Sequence, residues 1–439
     1  MSVRNTFPQQ RPTLNLDFAN SKTLDPRITF TRTSTATYVD EDGLIKSVDA
    51  DVARFDHDPE TGECLGLLVE ESRTNDIRNN TMQGAIAGTP GTAPTNWVLG
   101  TSAAGFTREI TDVGVENGIQ YVDIRWYGTA TGNPFSYLAF WPDGSNTINS
   151  PGTYTSRYTF SSYVKVVSGT VPSSTTFILV MTNADSGSIG LNEYKISTIV
   201  SSSSVPTGNL IDNRFALTNT DFSNTNTAYF KPYFQWNIPN GTSMDVTIRI
   251  GLPQMEEGSF ATSAIPTTDQ GKTRNPDNAY IEGSKFTEFY NSTEGSAVCY
   301  FSSPTEYGRT NACPFVFSIN RNTIGWGHYV GSSGASVSLF RNPSNSNEAF
   351  LNTGSAAGTT DQNRKLSVGY KLNDFAQYLN IGGGNVSQAI DTLGEVRTDI
   401  NAFAFNPQHS GLRYFGGHIQ KFLYYPTKFT NTQLRNLAL

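Results

Sequence analysis

The stretch "SMDVTIRIGLPQ", Ser243 to Gln254, alternates Met244, Val246, Ile248 and Ile250 with Asp245, Thr247 and Arg249. Period two, with β-branched residues in the apolar phase, marks a strand that buries one face and wets the other. Upstream lie "GIQYVDIRWYG", "YTFSSYVKVVSG", "TTFILVMTN" and "AYFKPYFQWNI", short strand-like runs set apart by turn residues and uninterrupted by an amphipathic helix. An antiparallel β-sandwich over residues 83–268 follows. A second sandwich is expected over 269–439, from "AYIEGSKFTEFYNSTEGSAVCYF" through "WGHYV", "ASVSLF" and "KLSVGYKLNDFAQYLNIGG" to "HIQKFLYYP". After it, "TNTQLRNLAL" reads as a short helix capped by Thr430 or Asn431, with Leu434, Leu437 and Leu439 on its apolar side.

Two polar, Gly/Pro-bearing stretches set the boundaries. "TMQGAIAGTPGTAPT", Thr81 to Thr95, reads as a linker or as an extended segment lying on another surface, and "AIPTTDQGKTRNPD", Ala264 to Asp277, lacks periodicity. The fold class is therefore all-β: an extended leader over 1–82, two tandem sandwiches and a C-terminal helix.

In the leader, "TFTRTSTATYV" places Thr29, Thr31, Thr33, Thr35 and Thr37 in one phase, a hydroxyl-lined strand face suited to cross-strand pairing. "GECLGLLVEESRTN", Gly62 to Asn75, puts Leu65, Leu67, Val69 and Glu71 in one phase and Leu68 and Glu70 in the other. Glycoside hydrolysis needs two carboxyls facing one sugar, about 5 to 9.5 Å apart, whereas neighbours in a strand point apart. Glu70 and Glu71 are accordingly expected to be structural, with Arg73 as an ion-pair neighbour; Glu256 and Glu257 fall under the same argument.

Composition narrows the function further. Charged residues make up 16% of the 439, against roughly 25% in an average soluble protein, while Gly (39), Phe (27) and Tyr (20) are plentiful. With a net charge of −7 and no Lys/Arg cluster, the chain has no footprint for a phosphate backbone. The opening "MSVRNTFPQQ" has no secretory apolar core, and "FILVM" is too short to span a bilayer. Neither nucleic acid nor membrane insertion is expected. Cys64, Cys299 and Cys313 are odd in number and lack CxxC spacing, which predicts free thiols from a reducing cytoplasm.

Arg11 to Asn75, beginning "RPTLNLDFANSKTLDPRITFTRTSTATYVDEDG", closely resembles a leader of tailed-bacteriophage virion structural proteins, especially those of marine and cyanobacterial hosts. The middle region resembles jelly-roll carbohydrate-binding modules through "YTFSSYVKVVSGT" and "IRIGLPQMEEGSFATSAIPT". The last is similar to concanavalin/laminin-G-like sandwiches through "EGSAVCYF", "KLSVGYKLNDFAQYLN" and "FLYYPTKFTNTQL". These resemblances imply a tail fibre, spike or baseplate component that binds host glycan, with a capsid decoration (head-fibre) protein or a lectin-like adhesin as alternatives. They imply other virion proteins as partners, a homo-oligomer (trimer favoured) and a virion location after synthesis in the bacterial cytoplasm. An assembly segment is expected at the leader threonines with Leu67, Glu71 and Arg73.

Flat aromatic faces are the leading site candidates, for stacking on sugar rings. Trp141, in the loop-like "FWPDGSN", comes first, followed by Trp126, Trp236 and Tyr233. No enzyme activity, cofactor or metal is expected. His328, His409 and His418 are far apart without a nucleophile elbow, "RFDHDPETGE" reads as turn chemistry, and Asp374, Asn380 and Asp391 are too thinly spread for calcium.

Overall fold

A computed structural model describes residues 6–100, 104–132, 135–140, 150–303, 312–330, 335–355, 362–382, 385–405 and 415–439. Strands dominate and pair antiparallel, as the alternation requires. The chain forms two compact units: Met1–Glu41, Ser47–Ser72 and Asn275–Leu439 make the first, and Asp42–Lys46 with Arg73–Arg274 the second.

Unit 1 is a sandwich. Its larger sheet runs, in spatial order, Val386–Asp391, Asp374–Ile381, Gln362–Lys371, Glu294–Ser303, Gly417–Tyr425, Cys64–Val69 and Arg54–His57, with Leu14–Asp17 also on Gly417–Tyr425. The other sheet runs Thr29–Thr31, Asn278–Glu282, Ala402–Phe405, Ala312–Ile319, Thr323–Val330, Ala335–Arg341 and Asn347–Ser355. One apolar core joins them, with Leu16, Leu67 and Phe422 from the first sheet and Phe317, Trp326 and Phe403 from the second. Phe317 stacks on Trp326 at 4.2 Å between ring centroids.

The leader is thus no separate extended arm. Leu14, Leu16, Leu67 and Val69 are buried because their apolar phase completes this core, and the register that achieves it, Leu14 opposite Tyr424, joins the two ends of the sequence. The threonine run is also not one strand. It pairs over Thr29–Thr31, breaks where Arg32 turns inward, and resumes at Ala36–Val39. Thr29, Thr33 and Thr35 remain exposed and Thr31 half-buried, while Thr37, Leu67, Glu71 and Arg73 are covered by the chain's own packing and present no face to another molecule.

Arg32 turns inward to a buried ion cluster. Its Nη1 donates to Asp277 at 2.9 Å, and Arg54 donates to Glu70 at 2.7 Å, to the Thr37 carbonyl at 2.8 Å and to Asp277. Glu70 and Asp277 also exchange backbone contacts: the Glu70 N–H donates to the Asp277 carboxylate at 2.8 Å and the Asp277 N–H to the Glu70 carbonyl at 2.9 Å. Burial opposes the charge on Arg54, but Asp277 and Glu70 outweigh it and hold the guanidinium above its ordinary pKa. The strand ends at Val69, so strand alternation does not separate Glu70 from Glu71; both are buried. Arg73 approaches Glu256, at 4.0 Å, within unit 2.

Unit 2 is a second sandwich. A five-stranded sheet, Arg214–Thr218, Tyr158–Gly169, Ser243–Glu257, Ile119–Thr129 and Phe106–Glu116, shares a core with Gly190–Ser201, Thr176–Ala184, Tyr229–Asn237, Phe135–Ala139 and Val98–Leu99, the last sheet also taking Ser150–Pro151. Ser243–Glu257 is the central strand of its sheet. Met244, Val246, Ile248 and Ile250 enter the core, while Arg249 forks onto Asp123 (2.8 and 2.7 Å) on the opposite face and lies over the Tyr121 ring. Residues 81–95 lie along unit 2, with Met82 in the core and Ile86 bridged to Thr92.

The C-terminal helix is Asn431–Leu437. Thr430 and Gln433 form a reciprocal capping box, and Leu434 packs against Tyr378 and Phe429, whereas Leu439 is exposed. All three cysteines are free thiols. Among the described residues no helix is long and apolar enough to cross a membrane.

Candidate functional site

The outer face of the six-stranded sheet of unit 2 carries a band of aromatic residues. Strand alternation builds it. In Tyr229–Asn237, Phe230, Phe234 and Trp236 enter the core, which leaves Tyr233 and Gln235 outward. In Phe135–Ala139 the outward phase is Phe135 and Tyr137, and in the edge strand Gly190–Ser201 it includes Tyr194 and Ile196. Register then assembles the band: Tyr137 opposes Gln235, Val180 lies between Tyr233 and Ile196, and Thr182 opposes Tyr194.

Together these residues line a groove of about 630 Å³. The Tyr137 and Tyr233 rings meet edge to face at 6.3 Å, and Tyr194 and Ile196 are 55% and 62% exposed, an unusual apolar display for a sheet surface. Among the described residues no charged side chain lines the groove. Desolvation, aided by the nearby Tyr194 and Tyr137 hydroxyls, pushes the Tyr233 hydroxyl up to about 12, so it stays protonated at neutral pH and can donate a hydrogen bond. Gly100 supports the ring of Tyr137 from below: a Cβ there would stand 1.9 Å from a ring carbon, and the Gly100 N–H donates to the Tyr137 carbonyl at 3.0 Å. Gln235 is steadied by a 2.6 Å bond from its Nε2 to Asn237. A protonated hydroxyl beside flat, apolar ring faces suits a ligand with both a hydrophobic face and hydroxyl groups.

The structure sorts the aromatic candidates by strand phase. Tyr233 lies in the groove. Trp126 and Trp236 do not: they are buried, 6.1 Å apart in the core, where the Trp126 Nε1–H donates to Ser136 at 3.0 Å. They cannot serve as sugar platforms. Trp97 and Trp326 are likewise core residues, and Trp141 and His409 fall outside the described residues. Tyr194 and Phe135 were missed, although the phase opposite Phe234 and Trp236 pointed to the outward face.

One carboxylate of the leader pair, Glu70, and one of "PQMEEG", Glu256, are held in structural bonds, whereas Glu257 is exposed. Glu70 is paired with Arg54, while Glu256 accepts from the Thr262 N–H at 2.9 Å, the Thr262 hydroxyl at 2.7 Å and Gln254 at 2.7 Å. Asp58 accepts from the N–H groups of Glu60 and Thr61, the expected turn. Asp374 pairs with Lys428 at 2.7 Å, and among the described residues no group of three or more His, Cys, Asp or Glu could hold a metal.

One constellation escaped sequence reasoning. His418 lies between Ser302, at 3.3 Å, and Asp56, at 2.9 Å, although these residues are 116 and 362 positions away in sequence.

No family model and no curated protein matches the sequence. Among solved structures, a Trypanosoma rangeli sialidase in complex with 2,3-difluorosialic acid (covalent intermediate) aligns at 9% identity over 82% of this chain and 72% of that chain, with a TM-score of 0.27. Another Trypanosoma rangeli sialidase structure aligns at 10% identity over 98% of this chain and 97% of that chain, with a TM-score of 0.25. Likeness at that level carries no argument about fold or activity.

Proposed function

We propose that this chain is a structural component of a tailed-bacteriophage virion, of the tail fibre, spike or baseplate kind, that holds host-surface glycan on the tyrosine-lined face of unit 2. The observation that carries the binding half is the outward placement of Tyr137, Tyr194 and Tyr233 around one groove. Tyrosine rings offer large apolar faces with a polar tip, the chemistry that a pyranose ring with its hydroxyls calls for. The resemblance of Arg11 to Asn75 to phage virion leaders supports the virion half. Weak binding at each groove suffices where many copies sit on one particle, because tethering multiplies affinity. The long edge strand Gly190–Ser201, hydrogen-bonded on one side to Thr176–Ala184, supports assembly into a homo-oligomer, a trimer in this reading.

Glycan retention without cleavage is the proposed mode, since Glu70 and Glu256 are committed to Arg54 and to Thr262 with Gln254. Gold-labelled antibody against the chain, viewed on intact phage by electron microscopy, tests the location. Label on tails supports the proposal, label on capsids supports the head-fibre alternative, and unlabelled particles overturn the virion reading.

A further inference from the structure

We infer that Ser302, His418 and Asp56 form an ester-hydrolysing site on the outer face of the larger sheet of unit 1. The three lie on Glu294–Ser303, Gly417–Tyr425 and Arg54–His57. Ser302 and His418 are directly opposed in antiparallel register, so their side chains share a face. Ser302 Oγ is 3.3 Å from His418 Nδ1, and His418 Nε2 is 2.9 Å from Asp56 Oδ2. Asp56 stands opposite Gly66, where the absence of a Cβ lets the Ile419 carbonyl of the neighbouring strand come close.

The order of groups matters more than their proximity. The other oxygen of Asp56 accepts the Val39 N–H at 2.6 Å, which fixes the carboxylate. With Nε2–H donated to Asp56, the bare nitrogen of His418 is Nδ1, and it faces the Ser302 hydroxyl. A nucleophile, a base and an orienting acid in line is the relay that activates a serine; the ring is turned end for end relative to the commonest arrangement, but each nitrogen has the role it needs. The side chains of His418 and Asp56 are 19% and 14% exposed and Ser302 is half-buried, so all three reach solvent. His328, fully buried beside Ser338, has no such access.

An oxyanion partner is at hand. Asn363 is directly opposite Ser302 on the neighbouring strand, and Gln420, two residues along from His418, donates from Nε2 to Asn363 Oδ1 at 3.3 Å. That bond engages the Asn363 oxygen, and the amide N–H groups of Asn363 would donate to the developing oxyanion, a role side-chain amides fill elsewhere. Ser302 Oγ would add to an ester carbonyl while its proton passes to His418 Nδ1. The alcohol then leaves with that proton. Water, deprotonated by the same nitrogen, releases the acyl group as a carboxylic acid and restores the serine, so no cofactor or oxidant is needed. The exposed Asn363 and, beside it, the half-buried Gln420 make the surroundings polar, which suits short acyl esters carried on a large polymer rather than long-chain lipids.

The test treats the full chain with a fluorophosphonate probe, maps the adduct by peptide mass spectrometry, and follows p-nitrophenyl acetate hydrolysis. The expected result is one adduct on Ser302, with hydrolysis reduced about 100-fold or more in Ser302→Ala and in His418→Gln. Asp56→Asn, which changes a positioning residue, should slow hydrolysis and move its pH profile. Should His418→Gln fail to fold, the small change Ser302→Ala decides alone. A folded wild-type chain that gives no Ser302 adduct, or equal hydrolysis by wild type and Ser302→Ala, overturns the inference and leaves a cross-strand hydrogen bond.

Discussion

Replacing Arg54 with Met should unfold unit 1 far more readily than its single position suggests. The guanidinium is fully buried and donates to Glu70, Asp277 and the Thr37 carbonyl, so the substitution removes two ion pairs from the interior and leaves Arg32, 2.9 Å from Asp277, to balance a cluster built around two cations. Breaking a buried pair from one side typically costs about 3–5 kcal/mol. With a urea dependence of about 2–3 kcal/mol/M, the midpoint of unit 1 should fall by about 1–2.5 M. Urea titration read by hydrogen exchange in peptides covering Cys64–Val69 and Asn278–Glu282 confines the readout to this unit. Adding Glu70→Gln to Arg54→Met should recover part of the loss, since a neutral amide is cheaper to bury than an unbalanced charge. Arg125→Met is the control: that arginine pairs with Asp245 at the surface, 2.7 Å away, and its loss should leave the midpoint nearly unchanged. An Arg54→Met midpoint within about 0.3 M of wild type would refute the claim that the cluster locks the leader into unit 1.

Three further expectations concern pH and the groove. Burial lowers the His328 pKa to about 3, so between pH 6.5 and 3 the unfolded chain binds a proton that the folded chain refuses; stability should fall with pH across that window by up to about 1.4 kcal/mol per unit, and His328→Gln should flatten that slope in acid unfolding curves. Asp76 shows the opposite sense: desolvation, with the Glu257 charge, raises it to about 6, so its contribution is present below the ordinary 3.8 and lost as pH rises to 6. Asp76→Asn should therefore stabilise unit 2 at pH 7.5 by up to about 3 kcal/mol, seen as a higher melting temperature, and by little at pH 3.5. Gly100→Val should displace the Tyr137 ring and weaken glycan retention on an affinity gel while leaving the unfolding midpoint of unit 1 unchanged.

The all-β class was readable because alternation is local: Ser243 to Gln254 carries its own inside and outside, and Phe234 with Trp236 against Tyr233 carries the distinction that separates core from groove. Trp126 and Trp236 have the residue type of sugar platforms, but their strand phase sends them into the core. The place of the leader was not readable. Leu14 and Leu67 announce strands, but nothing near them names Gly417–Tyr425 as the partner, and the break at Arg32 is set by Asp277, 245 residues away. Deleting Arg11 to Asn75 would remove strands from both sheets of unit 1, together with Arg32, Arg54 and Glu70, and so could not leave that sandwich intact. Ser302, His418 and Asp56 share that difficulty, since only the register of the folded sheet brings them together.

The most direct test of the glycan-binding account is calorimetric titration of the purified full chain with host envelope polysaccharide, repeated with Tyr233→Ala. Saturable binding is expected of the wild type, weakened by about 2 kcal/mol or more, roughly 30-fold, in a variant whose unfolding midpoint confirms an intact fold. Undiminished binding by Tyr233→Ala, or no binding by the wild type, would contradict it.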